Sequence, residues 1–137
     1  MDEIKRTTEL MNAEPREIAR AAASVLIEKK GLDVRMYNVE GKTSMTDFYV
    51  NATGRSSTQV AALADEVVYQ LGLRGRNELR VEGRGGNSWL LVDYGSVIVN
   101  VFDRESRDYY NLDRLLPSGT ECDISDIVRE IDEKYSN

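Results

Sequence analysis

The chain has 137 residues, enough for one domain with its own hydrophobic core. Hydrophobic residues make up 41% and charged residues 31%, the balance of a folded chain, and the net charge of −6 argues against direct nucleic-acid binding as the main activity. No apolar run is long enough to cross a bilayer and "MDEIKRTTEL" has no apolar signal core, so a soluble, cytoplasmic protein without a membrane partner is expected.

Residues 1–14 read as a polar N-terminal segment, mobile or weakly helical. "EPREIARAAASVLIEKKGLD" reads as a helix: Pro15 suits a first turn, Ile18, Ala22, Val25 and Leu26 recur at helical spacing, and Gly31 is a natural stop. "DVRMYNV" is a strand, "EGKTSMTD" a loop, and "FYVNAT" a second strand rich in aromatic and β-branched residues. In "GRSSTQVAALADEVVYQLGL", Ser56 or Ser57 caps a helix whose apolar stripe is Val60, Leu63, Ala64, Val67, Val68 and Leu71.

A loop-rich stretch with a short strand near "ELRVE" follows. Then Trp89–Asp93 and Val97–Phe102 read as strands joined by a tight turn at "DYGS", where Gly95 can take a positive φ. Both faces of the second strand are apolar, which predicts a central strand covered on both sides. "DRESRDYYNLDRLL" reads as a short helix or turn and "PSGTECD" as a loop. "ISDIVREIDEKY" closes as an amphipathic helix with Ile124, Ile127, Val128 and Ile131 on one side; from Glu121 to Lys134 there are six acids against two bases. The order predicts an α/β fold with a single mixed β-sheet of about five strands flanked by helices.

Few residues offer chemistry. Cys122 is the only cysteine and histidine is absent, which excludes an intrachain disulfide, a cysteine-rich zinc site and every Ser–His pair. "TGRSS" at 53–57 lies between a strand and a helix N-terminus, where an anion could sit. No Gly-Lys-Ser/Thr follows, so a capped strand-to-helix turn is the stronger reading. A Gly-Ser turn also resembles the opening of nucleotidyltransferase active sites, but those need a close pair of acids and "LVDYG" has Asp93 alone. One carboxylate makes a poor divalent-metal site.

Asp93 reads as a turn residue bonded to the backbone near Gly95, and Asn100 as a satisfied polar group in the sheet. Arg74, Arg76, Arg80 and Arg84 alternate with Glu78 and Glu82, as in a solvated loop, with a minor contact to ribosomal RNA as the functional alternative. Arg107 reads as packing on a carboxylate. Trp89, the sole tryptophan, starts a strand beside the glycine-rich "EGRGGN". It fits a core position and an interface anchor equally well.

Together these segments resemble the ribosomal silencing factors, or Iojap-like family, from about Asp33 to Leu116. "TSMTDFYVNATGRSSTQVAALADEVV" is similar to the family's Thr-Asp-x-x-Val … Thr-Gly-x-Ser-Ser block. "VEGRGGNSWLLVDYGSVIVNVF" is similar to its Glu-Gly … Trp-x-Leu-x-Asp-x-Gly-Asp-Val-x-Val-His block, and "RESRDYYNLDRLL" to its Glu-x-x-Arg-x-x-Tyr-x-Leu-Glu-x-Leu-Trp ending. Three positions depart: Asn100 stands for the histidine, Leu116 for the terminal tryptophan and Ser96 for the second aspartate.

The resemblance implies a nucleotidyltransferase-like topology without catalytic acids, spanning 15–116, with 117–137 an acidic C-terminal helical extension outside it. It implies a translation repressor, not an enzyme, that binds the large ribosomal subunit through ribosomal protein L-fourteen and sterically blocks association with the small subunit. No catalytic residue, metal or cofactor is expected. Aromatic and arginine anchors carry most interface energy, which points to Trp89 and Leu90 with Tyr94, and to Phe102 and Arg107 shaping the surface. A residual nucleotide-binding domain is the alternative, with Ser56 and Ser57 on phosphate and Asp47 or Asp93 on magnesium. Homodimerisation of the free protein is a third reading.

Overall fold

The computed structural model describes residues 4–136. In chain order its elements are α1 (Pro15–Glu28), β1 (Leu32–Asn38), β2 (Phe48–Gly54), α2 (Ser57–Leu73), β3 (Arg80–Glu82), β4 (Trp89–Asp93), β5 (Val97–Asp103), α3 (Arg104–Tyr110), α4 (Leu112–Leu115), β6 (Glu121–Cys122) and α5 (Ser125–Tyr135). The strands form one mixed sheet in the order β3-β4-β5-β2-β1-β6. β2 and β5 run parallel in its middle, with Phe48 opposite Val97 and Gly54 opposite Asp103; the other neighbours are antiparallel. β2 is buried along its length and β5 everywhere but its last residue, as expected for strands apolar on both faces.

Alternation along each strand divides the sheet into two faces. Phe48, Val50 and Ala52, Val97, Val99 and Val101, Leu90, Val92 and Met36 form the main core with Ile18, Ala22 and Leu26 of α1 and Val60, Leu63, Val67 and Leu71 of α2. Full burial of such aliphatic side chains contributes roughly 1.5–3 kcal/mol each. The opposite face carries a smaller cluster, Tyr37, Val39, Tyr49 and Ile98, with Leu91 and Leu116 packed on it. Here α3 crosses β5 and β2.

Several local expectations need correction. A sixth strand exists because β6 pairs Met36 with Cys122; two residues are too few to show periodicity, and the partner strand creates the element. Residues 103–116 form two helices, split where Asn111 takes a left-handed φ of 47°. Lys30, at φ 71°, takes the left-handed position after α1. Gly31 is instead needed for close approach, since a Cβ there would lie 2.9 Å from the Leu26 carbonyl oxygen.

The described part of the N-terminal segment is fastened down. The Thr7 and Leu10 amides donate to the Leu73 and Arg74 carbonyls at 2.7 and 2.8 Å, Arg76 donates to the Leu10 and Met11 carbonyls, and Leu10 is buried in the core. α5 lies on α1 through Ile127, Ile124 and Ile131, with an Arg20–Asp126 ion pair. Val128 is exposed on the rim, off the apolar side where its spacing put it. Tyr135 and then Lys134 donate to Glu28 and hold its carboxyl below the usual carboxylate range. None of the described helices is long and apolar enough to cross a membrane.

Two core tyrosines link burial to pH. Burial first, then the carboxylates of Asp113 and Glu121, pushes the Tyr37 phenol up to about 12; burial also raises Tyr94. An unfolded chain releases these protons near pH 10. Because the folded-state values are raised, their contribution is complete below about pH 10 and is lost as pH climbs through the folded values. Denaturation midpoints are therefore expected to fall between about pH 10 and about pH 12, with phenolate absorbance rising at unfolding. A flat midpoint over that range contradicts the burial of both rings.

Candidate functional site

Strand alternation decides which residues of β4 are available. Trp89, Leu91 and Asp93 are half-buried, while Leu90 and Val92 between them point into the core. The Trp89 ring packs on Phe102 at 5.0 Å between centroids and on Tyr110 of α3 at 4.8 Å; Tyr109 stands edge-on to Tyr110 at 5.1 Å. Tyr109 is 80% exposed and Tyr110 48%. Beside Trp89 a shallow groove of about 240 Å³ is lined by Glu82, Gly83 and Leu91. Gly83, at φ 97°, has to be glycine, since a Cβ there would sit 2.0 Å from the Trp89 carbonyl oxygen.

A line of polar side chains runs beneath this aromatic face. The Trp89 indole Nε1–H donates to Asn100 Oδ1 at 3.0 Å, and Asn100 Nδ2 donates to Asn51 Oδ1 at 3.0 Å. Asn51 Nδ2 donates to Asp113 Oδ1 at 2.5 Å. Arg107 donates to the other oxygen of Asp113 through Nε and Nη2 at 2.9 and 2.6 Å, and to Thr53 Oγ1 at 3.0 Å. Asp103 caps α3 by accepting from the Ser106 amide at 2.7 Å. The left-handed turn at Asn111 then brings Asp113 back toward Arg107.

The expected contact residues are thus divided. Trp89 lies on the open face. Phe102 is buried directly under it, and Arg107 is buried with its guanidinium carbon 5.9 Å from the Phe102 ring centre. Leu90 and Tyr94 are in the main core, on the opposite face, because neighbours in a strand point opposite ways. The residues overlooked are Leu91, Tyr110, Asn51 and Asp113. Leu91 shares the parity of Trp89 and could have been found from alternation; Asp113 reaches Asn51 only through the α3–α4 turn.

The three departures from the family pattern have distinct surroundings. Asn100 is inside the polar line, Leu116 packs on the second-face cluster, and Ser96 uses its backbone carbonyl to accept from the Asp47 and Phe48 amides at 3.1 Å. Asp93 accepts from the Gly95 amide at 2.7 Å in a turn where Gly95 has φ 83°, and pairs with Arg80 at 3.1 Å.

The residues of the nucleotide-binding alternative are not brought together. Asp47 precedes β2 and Ser56 and Ser57 follow it, so the full strand, roughly 20 Å, separates them. Ser56 caps α2 by accepting from the Gln59 amide at 3.1 Å, and the Gln59 side-chain oxygen accepts from the Arg55 amide. Gly54 lets α2 approach the strand, since a Cβ there would meet Val60 N at 2.9 Å. The arginines read as a solvated loop are engaged within the chain. Arg74 pairs with Glu9 at 2.8 Å, Arg80 with Glu82 at 3.0 Å and Arg84 with Asp65 at 2.7 Å, while Arg76 holds the N-terminal segment.

A family model described as ribosomal silencing factor during starvation matches residues 12–137, taking in α1 and α5 as well as the motif-bearing sheet. The ribosomal silencing factor RsfS of Haemophilus influenzae is 37% identical over 86 residues, 63% of this chain and 84% of that one. That of Bacillus subtilis is 34% identical over 100 residues, 73% of this chain and 85% of that one. A crystal structure of a protein from Chromobacterium violaceum superposes with a TM-score of 0.73 at 35% identity, covering 77% of this chain and 92% of that chain. With its ordered motifs on one mixed sheet and the match running through both terminal helices, the chain belongs to the ribosomal silencing factor family, a ribosome-associated class of regulators.

Proposed function

We propose that this protein represses translation as a physical obstacle. It docks through the Trp89 face on the large ribosomal subunit, at ribosomal protein L-fourteen, and blocks association with the small subunit. The observation that carries this reading is the aromatic surface of Trp89, Tyr110 and Tyr109, held on a rigid sheet whose polar groups already satisfy one another. Exposed aromatic anchors over a packed base are what a protein interface uses. A footprint of roughly 1,600 Å² in total is standard and is large enough to cover a bridge contact.

The net charge of −6 favours encounter with a basic ribosomal protein. No bond is made or broken and no cofactor is needed, so the protein acts as a non-enzyme in the cytoplasm. When free, a second copy could cover the same rings, which light scattering would report.

The test is sedimentation with separated subunits, followed by mixing. Co-migration with the large subunit alone and a dose-dependent fall in monosomes are expected. Co-migration with neither subunit, or unchanged monosome formation at saturating protein, would falsify the proposal.

A further inference from the structure

We infer that Asn100, Asn51 and Asp113 are positioning residues for the Trp89 indole, so that the α3–α4 turn sets the docking face from across three strands. The consequence for docking rests on the proposed function; the positioning itself does not.

The argument is one of hydrogen-bond direction. The indole N–H of Trp89 can only donate, the Arg107 guanidinium can only donate, and the ionised Asp113 carboxylate can only accept. Between them stand two carboxamides, each with one accepting and one donating end. Asp113 spends one oxygen on Arg107 and offers the other to Asn51. Asn51 must therefore turn its amino group to Asp113 and its oxygen to Asn100. Asn100 must in turn give its amino group to Asn51 and its oxygen to Trp89, which is the arrangement observed.

Turning either amide over sets donor against donor at one end and acceptor against acceptor at the other. Asn51 is 0% exposed and Asn100 1%, so water cannot repair the mismatch. The polarity of the whole line is thus the one that both of its ends require, the donor-only indole of Trp89 and the acceptor-only carboxylate of Asp113. Phe102 and Tyr110 confine the faces of the indole, and Asn100 fixes its edge. Together they hold the ring in one orientation before any partner arrives, which lowers the ordering cost of binding.

The sole tryptophan is its own reporter, since emission excited at the red edge, where the seven tyrosines do not absorb, reads this residue and no other. Asp113→Asn keeps the side-chain shape and an oxygen for Arg107 but turns an amino group toward the amino group of Asn51. It is expected to shift Trp89 emission, lower its anisotropy, and weaken binding to large subunits roughly five- to tenfold, the worth of about one hydrogen bond. Asn100→Leu is expected to do the same. Asn100→His, whose neutral ring keeps an acceptor for the indole and a donor for Asn51, is expected to restore the native signal. Arg114→Ala, on the same turn but outside the line, is expected to change neither reading.

Unchanged Trp89 emission and anisotropy in folded Asp113→Asn overturns the inference. If that variant does not fold, the same silence in folded Asn100→Leu overturns it. A fluorescence change in a protein that binds no ribosomal subunit supports the positioning and sinks the docking reading alone.

Discussion

Trp89→Ala is expected to weaken binding to isolated large ribosomal subunits by about thirtyfold or more, equivalent to about 2 kcal/mol, while the domain stays folded. The indole is half-buried against Phe102 and Tyr110, so its outer surface is available to a partner and its inner surface rests on a formed core. Truncation removes the centre of the aromatic face and leaves Phe102 uncovered. It also leaves Asn100 Oδ1 without its donor, which adds a stability cost of about 1–2 kcal/mol. The main core is on the other side of the sheet, formed by Leu90 and its neighbours, and is untouched. Circular dichroism and denaturation establish folding, and sedimentation with large subunits gives affinity. Affinity equal to wild type in a folded variant removes Trp89 from the contact.

Arg107→Leu is expected to destabilise the domain by about 3 kcal/mol or more, because it removes one member of a buried charged pair. The Arg107 side chain is 8% exposed and makes three of its hydrogen bonds to Asp113 and Thr53, with a longer approach to Asp33 at 3.7 Å. Without it, Asp113 keeps a charge facing Asn51 and the second-face cluster with no counter-ion on that oxygen. Asp113 is itself 22% exposed, so water recovers part of the loss and the expectation stays at the low end of the range for buried pairs. Removing both partners in Arg107→Leu/Asp113→Leu should cost less than the two single changes added together, since neither charge is then stranded. Denaturant unfolding of the cycle decides this. A single-variant loss below about 1 kcal/mol would mean that the pair behaves as a surface ion pair.

The two predictions separate roles that the motif "RESRDYYNLDRLL" leaves joined. Arg107 was expected to rest on a carboxylate and also to shape the contact surface. Its carboxylate is Asp113, and its guanidinium is buried over the Phe102 ring, 5.9 Å from the ring centre, and so is not itself an exposed contact group. The exposed aromatic groups of the same helix are Tyr109 and Tyr110, which the residue pattern did not single out.

What could be read along the chain was whatever depends on near neighbours. The helical stripe from Val60 to Leu71, the Ser56 cap, the Pro15 start and the Asp93–Gly95 turn follow from spacing and local hydrogen bonds, because the interacting groups are within a few residues of each other. The double-sided burial of Val97–Phe102 was legible for the same reason, as was the family, whose motifs are ordered along the chain. Alternation also contained the division of Trp89 from Leu90, a signal present but not used.

Tertiary structure alone decided the rest. β6 is a strand only because β1 lies beside it, and the N-terminal segment is anchored only because Leu73, Arg74 and Arg76, at and just past the end of α2, lie next to it. The polar line joins residues 89, 100, 51 and 113, separated by 11, 49 and 62 positions. Local propensity carries no information about such pairings. They arise when strand register places Asn51 opposite Asn100 and a left-handed turn brings Asp113 onto Asn51. Hydrophobic pattern therefore determined that this chain makes an α/β domain, since burial periodicity is a local property, and its ordered motifs pointed to the silencing-factor family. Which face is left open, and what holds its tryptophan in place, was settled by contacts between distant segments, because the direction of a buried hydrogen bond depends on both of its ends.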